Sequence, residues 1–162
     1  MKLLSFFLCA ALVAAPVAAQ GTKAKTPAPP KPSAKGGRVI TITGTDNMKF
    51  DVTTITAKPG ERLRVVLKAV GALPKIAMAH NFVLLKAGAN VDEINKAAMT
   101  ARDTDFIPPA FKAQIHAFTP LAGAGETVEV SFAAPTTPGT YPYICSFPGH
   151  YTMGMKGNLI VK

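Results

Sequence analysis

The chain has 162 residues, with 18 Lys and Arg against 9 Asp and Glu, three histidines and two cysteines. Five of the positive residues (Lys2, Lys23, Lys25, Lys31 and Lys35) precede any segment able to build a core, so the remainder is only modestly basic. With no arginine cluster and no basic helix, this balance argues against nucleic-acid binding.

Residues 1–19 have the layout of a secretory signal peptide. Lys2 opens the segment, Leu3 to Val13 is almost wholly apolar, and Val17-Ala18-Ala19 supplies the small residues needed before a cut near Ala19. The apolar run is too short and too early for a membrane anchor, so no stable membrane insertion is expected. Cys9 does not read as a lipoprotein cysteine, because bulky Phe6-Phe7-Leu8 precedes it and the apolar run continues beyond it. The expected location is the periplasm. Residues 20–37 are rich in proline and lysine and lack apolar periodicity, which predicts a flexible, solvated tail. One domain, residues 38–162, remains, long enough for a single core.

That domain reads as short strands. Val39 to Thr43 is β-branched and Gly44 interrupts it. Met48 to Thr56 puts Phe50, Val52, Thr54 and Thr56 on one phase, with Ile55 breaking it, which predicts a bend or bulge. Lys58-Pro59-Gly60-Glu61 is a turn signal, and Leu63, Val65 and Leu67 alternate with Arg62, Arg64, Val66 and Lys68 as in a half-buried strand. Further strands are predicted over Asn81–Lys86, Thr127–Phe132, Tyr141–Cys145 and Lys156–Lys162. A helix is predicted over Val91–Ala101, with Val91, Ile94, Ala98 and Ala101 on one face, Asn90 as its cap and Glu93 as capping-box partner. Six to eight strands and one inserted helix make an all-β sandwich or small barrel. Phosphate-loop, HExxH and GxSxG motifs are absent.

The cysteines are the sharpest clue. Export removes Cys9 and leaves Cys145 alone in an oxidising compartment, as an inert buried thiol, an intermolecular disulfide partner or a metal ligand. His150 follows five residues later across Pro148-Gly149, with Met153 and Met155 just beyond. Thiolate and thioether donors select copper, and imidazole suits both of its oxidation states. Zinc accepts Cys and His too, but a further hard ligand and an open water position are not evident.

These segments resemble the azurin and auracyanin branch of the cupredoxins. The likeness spans nearly all of 38–162. It is carried by Met48-Lys49-Phe50, by LPKIAMAHNFVL at Leu73–Leu84, by IHAFTPLAGAGE at Ile115–Glu126 and by CSFPGHYTMGMKG at Cys145–Gly157. The resemblance implies an eight-stranded Greek-key β-sandwich with one short inserted helix and one type 1 copper ion. His80, Cys145 and His150 take the equatorial places, and Ala79 stands where azurins carry a glycine whose carbonyl approaches copper. Asn81 resembles the residue that ties the two ligand loops together near the sulfur. Phe147 and Pro148 pack the loop. Met78, Phe147 and the edge of His150 belong to an apolar docking surface, and His116 resembles a histidine beside that surface that binds no metal. Met155 is the expected axial ligand and Met153 its competitor, since Gly154 occupies the azurin position and the loop is one residue longer. Gly60 stands where azurins have a disulfide cysteine.

The expected function is a soluble exported blue copper protein that shuttles single electrons between redox proteins, such as a c-type cytochrome or a terminal oxidase or reductase. The alternative is a copper storage or delivery module. A copper enzyme would need more histidines than His80, His116 and His150, and a second domain.

Overall fold

A computed structural model describes residues 36–162. The signal segment expected over 1–19, and the tail expected over 20–37 as far as Lys35, lie outside the described residues. Among those described, the strands are β1 (Arg38–Thr45), β2 (Lys49–Phe50), β3 (Thr54–Ala57), β4 (Arg62–Val70), β5 (Ala79–His80) and β6 (Val83–Leu85). After the helix α1 (Val91–Ala98) come β7 (Ile115–Phe118), β8 (Ala122–Gly123), β9 (Thr127–Ala133), β10 (Gly139–Ile144) and β11 (Lys156–Val161). Four strands form one sheet in the order β2-β1-β4-β9, five form the other in the order β3-β11-β10-β6-β7, and β5 pairs with β8 in a small ribbon. Neighbours in both sheets are largely non-consecutive, the crossover connectivity of a Greek-key sandwich. The strand segments outnumber the eight implied by resemblance because bends divide the chain into short pieces.

Alternation decides which side chains meet between the sheets. Ile42, Leu63, Val65 and Leu67 from the first sheet pack in one buried cluster with Leu84, Tyr143 and Leu159 from the second. The run Val83-Leu84-Leu85 looks like a strand with no polar side, and the reason is a second core. Val83, Leu85 and Ile144 point away from the sandwich and are covered by Ile94 of α1, Ile107 and Phe118. Both faces of β6 are thus dry.

Several boundaries differ from expectation. The helix stops at Ala98 rather than Ala101, although Asn90 caps it as predicted by accepting from the Glu93 N–H at 3.2 Å. Ile94 and Ala98 carry its buried face. Gly44 does not interrupt β1 but lies within it. Phe50 and Ile55 are both buried although their spacing puts them on opposite phases, because the chain bends at Asp51 and passes from the first sheet to the second. The strand expected at Asn81 begins at Val83, and the preceding pair Ala79–His80 forms its own ribbon. At the predicted turn the Glu61 N–H donates to the Lys58 carbonyl at 3.0 Å. Gly60 adopts φ +71° there, a left-handed conformation that favours glycine.

Candidate metal centre

Two separate pieces of chain build the site. The first is the β5–β8 ribbon, where Ala79 pairs with Gly123 and His80 with Ala122. The second is the loop that leaves β10 at Cys145 and returns to β11 after Met155. Main-chain hydrogen bonds close this loop on itself. The Cys145 N–H donates to the Met155 carbonyl at 3.0 Å, the Met155 N–H to the His150 carbonyl at 2.9 Å, and the His150 N–H to the Phe147 carbonyl at 3.1 Å. Gly149 at φ +84° makes the turn back possible.

Asn81 joins the two pieces. Its Oδ1 accepts from the Ser146 N–H at 2.8 Å and the Ser146 hydroxyl at 3.2 Å, and its Nδ2 donates to the Asp105 carbonyl at 3.3 Å. The tying role expected for Asn81 is therefore present in the geometry. Its partners Ser146 and Asp105 escaped the sequence reading, because neither has a signature outside the fold. Asp105 and Phe106 both hold positive φ, at 53° and 59°, and the Phe106 ring meets Phe147 edge-on at 5.1 Å. The insertion after α1 thus buttresses the loop.

The donor atoms of His80, Cys145 and His150 all lie within 4.8 Å of one another, and all three residues are buried. Cys145 Sγ is 3.4 Å from His150 Nδ1, and the two imidazoles stand 5.0 Å apart. The Ala79 carbonyl oxygen lies 4.0 Å from Sγ. His80 Nδ1 is buried with no hydrogen-bond partner. A buried, unpaired imidazole nitrogen is costly unless something outside the protein chain satisfies it. A metal ion among these three donors does so, and the donor set fits copper.

Electrostatics agree. Burial pushes the Cys145 thiol up to about 12, while the N–H groups of Asn81 and Phe147 pull the other way. Burial, and then the neighbouring His80, holds His150 down at about 4. Burial also lowers His80, opposed by the Asp46 carboxylate. Burial thus favours the uncharged form of all three donors, and a cation would bind with loss of the thiol proton.

The methionines separate cleanly. Met155 is fully buried and Met153 is 54% exposed. Gly44, unrecognised in the sequence as part of the site, lies directly against it: a Cβ there would stand 2.8 Å from Met155 Cε and 3.0 Å from His80 Cγ.

Residues 38–162 match the family model for copper binding proteins of the plastocyanin/azurin family. The chain belongs to the plastocyanin/azurin family. Auracyanin-A of Chloroflexus aurantiacus is 39% identical over 118 residues, 72% of this chain and 69% of that protein. Azurin iso-2 of Methylomonas sp. strain J is 35% identical over 122 residues, 74% of this chain and 93% of its own length. The solved structure of auracyanin A, a "blue" copper protein, superposes with a TM-score of 0.69 at 36% identity, covering 78% of this chain and all (100%) of that one. In this family setting His80, Cys145 and His150 form a candidate type 1 copper site with Met155 beside it.

Two features depart from the expectations drawn from that family. His116 is not in a loop beside the docking surface. It sits in β7, its Nε2 is 2.8 Å from the Ala133 carbonyl, and its ring packs edge-on against Phe132. Ala133 pairs with Arg62 at the start of β4, whereas Gly44, under the site, pairs with Ala69 seven residues further along β4. His116 is not among the residues whose donor atoms cluster at the site. His116→Ala should therefore leave the visible spectrum of the copper-loaded protein unchanged; loss of colour in a folded variant would force the site to be redrawn.

The second departure concerns exposure. His150 and Phe147 offer little surface, at 2% and 8%, and their rings pack at a tilt 4.8 Å apart. Accessible apolar side chains include Ile76, 75% exposed, and Leu73, 45% exposed. They belong to the segment before the ribbon, whose Lys75 lies over Gly123, and Met78 there is half-buried.

Proposed function

We propose that this is a soluble, exported blue copper protein that carries single electrons between redox partners. His80, Cys145 and His150 would hold copper, Met155 would lie on its axis, and the Ala79 carbonyl would face it from nearby. The observation that carries the reading is the enclosed trio with its unpaired His80 Nδ1. Bound copper would supply a one-electron Cu(II)/Cu(I) couple. The residues do the rest. The Asn81 bridge and the closed loop fix the donors before any metal arrives, so little rearrangement accompanies electron gain or loss. The Asn81 and Phe147 N–H groups stabilise negative charge on the sulfur.

Export rests on the signal-like segment 1–19, the tail 20–37 is a spacer, and the periplasm is the proposed location. Among the described residues no helix is long and apolar enough to cross a membrane. A storage or delivery module is the competing reading, but a labile site wants exposed donors, and Cys145 is 0% exposed. Copper titration of the purified protein decides between them. The carrier shows an intense thiolate-to-Cu(II) absorption at ~600 nm, bleached by reductant and restored by oxidant. Tight copper binding without that band would reject the proposal.

Partners, such as a c-type cytochrome or a terminal oxidase or reductase, would dock over the apolar end through a small interface. The resemblance centres docking on Met78, Phe147 and His150. The exposures shift its accessible part to Ile76 and Leu73, with Met78 at the margin. Ile76→Lys should slow electron exchange more than Met78→Lys. Salt should have a modest effect, since Lys75 is already paired with Glu126 at 2.6 Å. Rates unchanged by both variants yet collapsing with salt would move docking to another face.

A further inference from the structure

The β1–β2 hairpin contributes no donor atom, yet it meets the candidate axial residue through Gly44 and the peptide just before that residue through Lys49. Gly44 is buried in β1, paired with Ala69 on one side and Phe50 on the other, so its backbone cannot retreat. Its φ is not positive, so conformation does not demand glycine there. Space does. The position that a Cβ would take is 2.8 Å from Met155 Cε and 3.0 and 3.1 Å from His80 Cγ and Cδ2. Of these neighbours, the Met155 methyl is the free end of a flexible side chain, and the imidazole is rigid. A methyl group at Gly44 would therefore be accommodated mainly by moving the thioether.

The other contact is Lys49, which pairs with Thr45 across the hairpin. Its ammonium donates to the Met153 carbonyl. It also fills the niche left by Gly154, where a Cβ would lie 2.6 Å from Nζ and where φ is +93°. This contact pins the peptide between the two competing methionines. With the Met153 carbonyl held by Lys49, the Met153 side chain is 54% exposed, and Met155 turns inward with its N–H on the His150 carbonyl at 2.9 Å.

We propose that the hairpin from Gly44 to Phe50 is a positioning element of the copper centre: Gly44 is the floor that sets where the Met155 thioether sits, and Lys49 is the latch that holds the loop in the register delivering Met155 rather than Met153. The inference rests on the blue copper reading above, and it assigns neither residue a bond to the metal.

The test uses the full-length, copper-loaded protein and compares wild type, Gly44→Ala, Met155→Leu and the double variant by voltammetry and visible absorption. Thr41→Ala, on the exposed face of β1, is the control. Gly44→Ala should fold, keep the blue band and shift the Cu(I)/Cu(II) preference by about threefold or more, because a displaced thioether donates less. In the Met155→Leu background the same substitution should produce less than about half of that shift, since the donor through which Gly44 acts is gone. Lys49→Met, at an exposed position, should release copper to a chelator about threefold faster or more, and Lys49→Arg should restore the slow rate because it keeps a charged donor. Equal Gly44→Ala shifts in both backgrounds, or none in either, would overturn the floor. Release from Lys49→Met at the wild-type rate would overturn the latch, and this arm stands even if Gly44→Ala fails to fold. A wild type that binds copper without the blue band would instead overturn the underlying function, so the two failures are distinguishable.

Discussion

Cys145→Ala should abolish the ~600 nm absorption and remove most of the rise in melting temperature that copper produces. Copper binds a native site whose donors are already within 4.8 Å of one another, and an unfolded chain offers them far apart. At a free concentration about a thousand times the dissociation constant, that preference is worth roughly 4 kcal/mol. For a domain of this size, it is about 10–20 °C in Tm. The apoprotein itself should change little, by about 1 kcal/mol, because only a buried sulfur atom is lost. Scanning calorimetry of both proteins with and without copper measures the difference. Equal copper-induced shifts in wild type and Cys145→Ala would show that copper stabilises through some other set of donors.

Met155→Leu should keep the colour and raise the reduction potential. Leucine is close in volume to methionine, so the fully buried position stays filled and the equatorial trio stays in place. What disappears is a weak thioether donor, and the site left behind is more apolar and lower-coordinate, which favours Cu(I). An upward shift of about 60 mV or more is expected, the one-electron equivalent of a tenfold change in preference. Met153→Leu should change the potential far less, because that side chain is 54% exposed. Voltammetry of both variants at one pH decides it. A large shift belonging to Met153 would mean that the loop register is other than the hydrogen bonds between Cys145, His150 and Met155 indicate.

Much of the chemistry was legible in the chain because it is local. Cys145, His150 and Met155 lie within eleven residues of one another, and Pro148-Gly149 announces the turn between them. Asn81 and Ala79 were readable because each adjoins His80. The strand β4 was readable because its burial alternates along nearly its whole length. His116 was misplaced for the opposite reason. A motif likeness puts a residue in a neighbourhood of sequence, and only the pairing of β7 with β6 and the contact with Ala133 show that His116 lies within a strand. The exposure of the docking residues was not legible in the chain either. His150 and Phe147 are three residues apart in the loop, but their exposure depends on the packing of their rings against each other and on Phe106 arriving from the insertion.

Sequence by itself pointed to Cys145 and His150, the metal that suits them, an all-β domain and the inserted helix, and the resemblance added His80 and the sandwich. Residue type sets ligand chemistry, and the period of apolar side chains sets strand and helix. Tertiary structure alone decided that Met155 is buried while Met153 is exposed, since both lie on the same phase of an extended segment and alternation cannot separate them. It also decided that Gly44 belongs to the centre. Gly44 is 36 residues before His80 and 111 before Met155, and nothing local marks it. Only the closing of one sheet over the other brings its missing side chain to the space that those two residues fill.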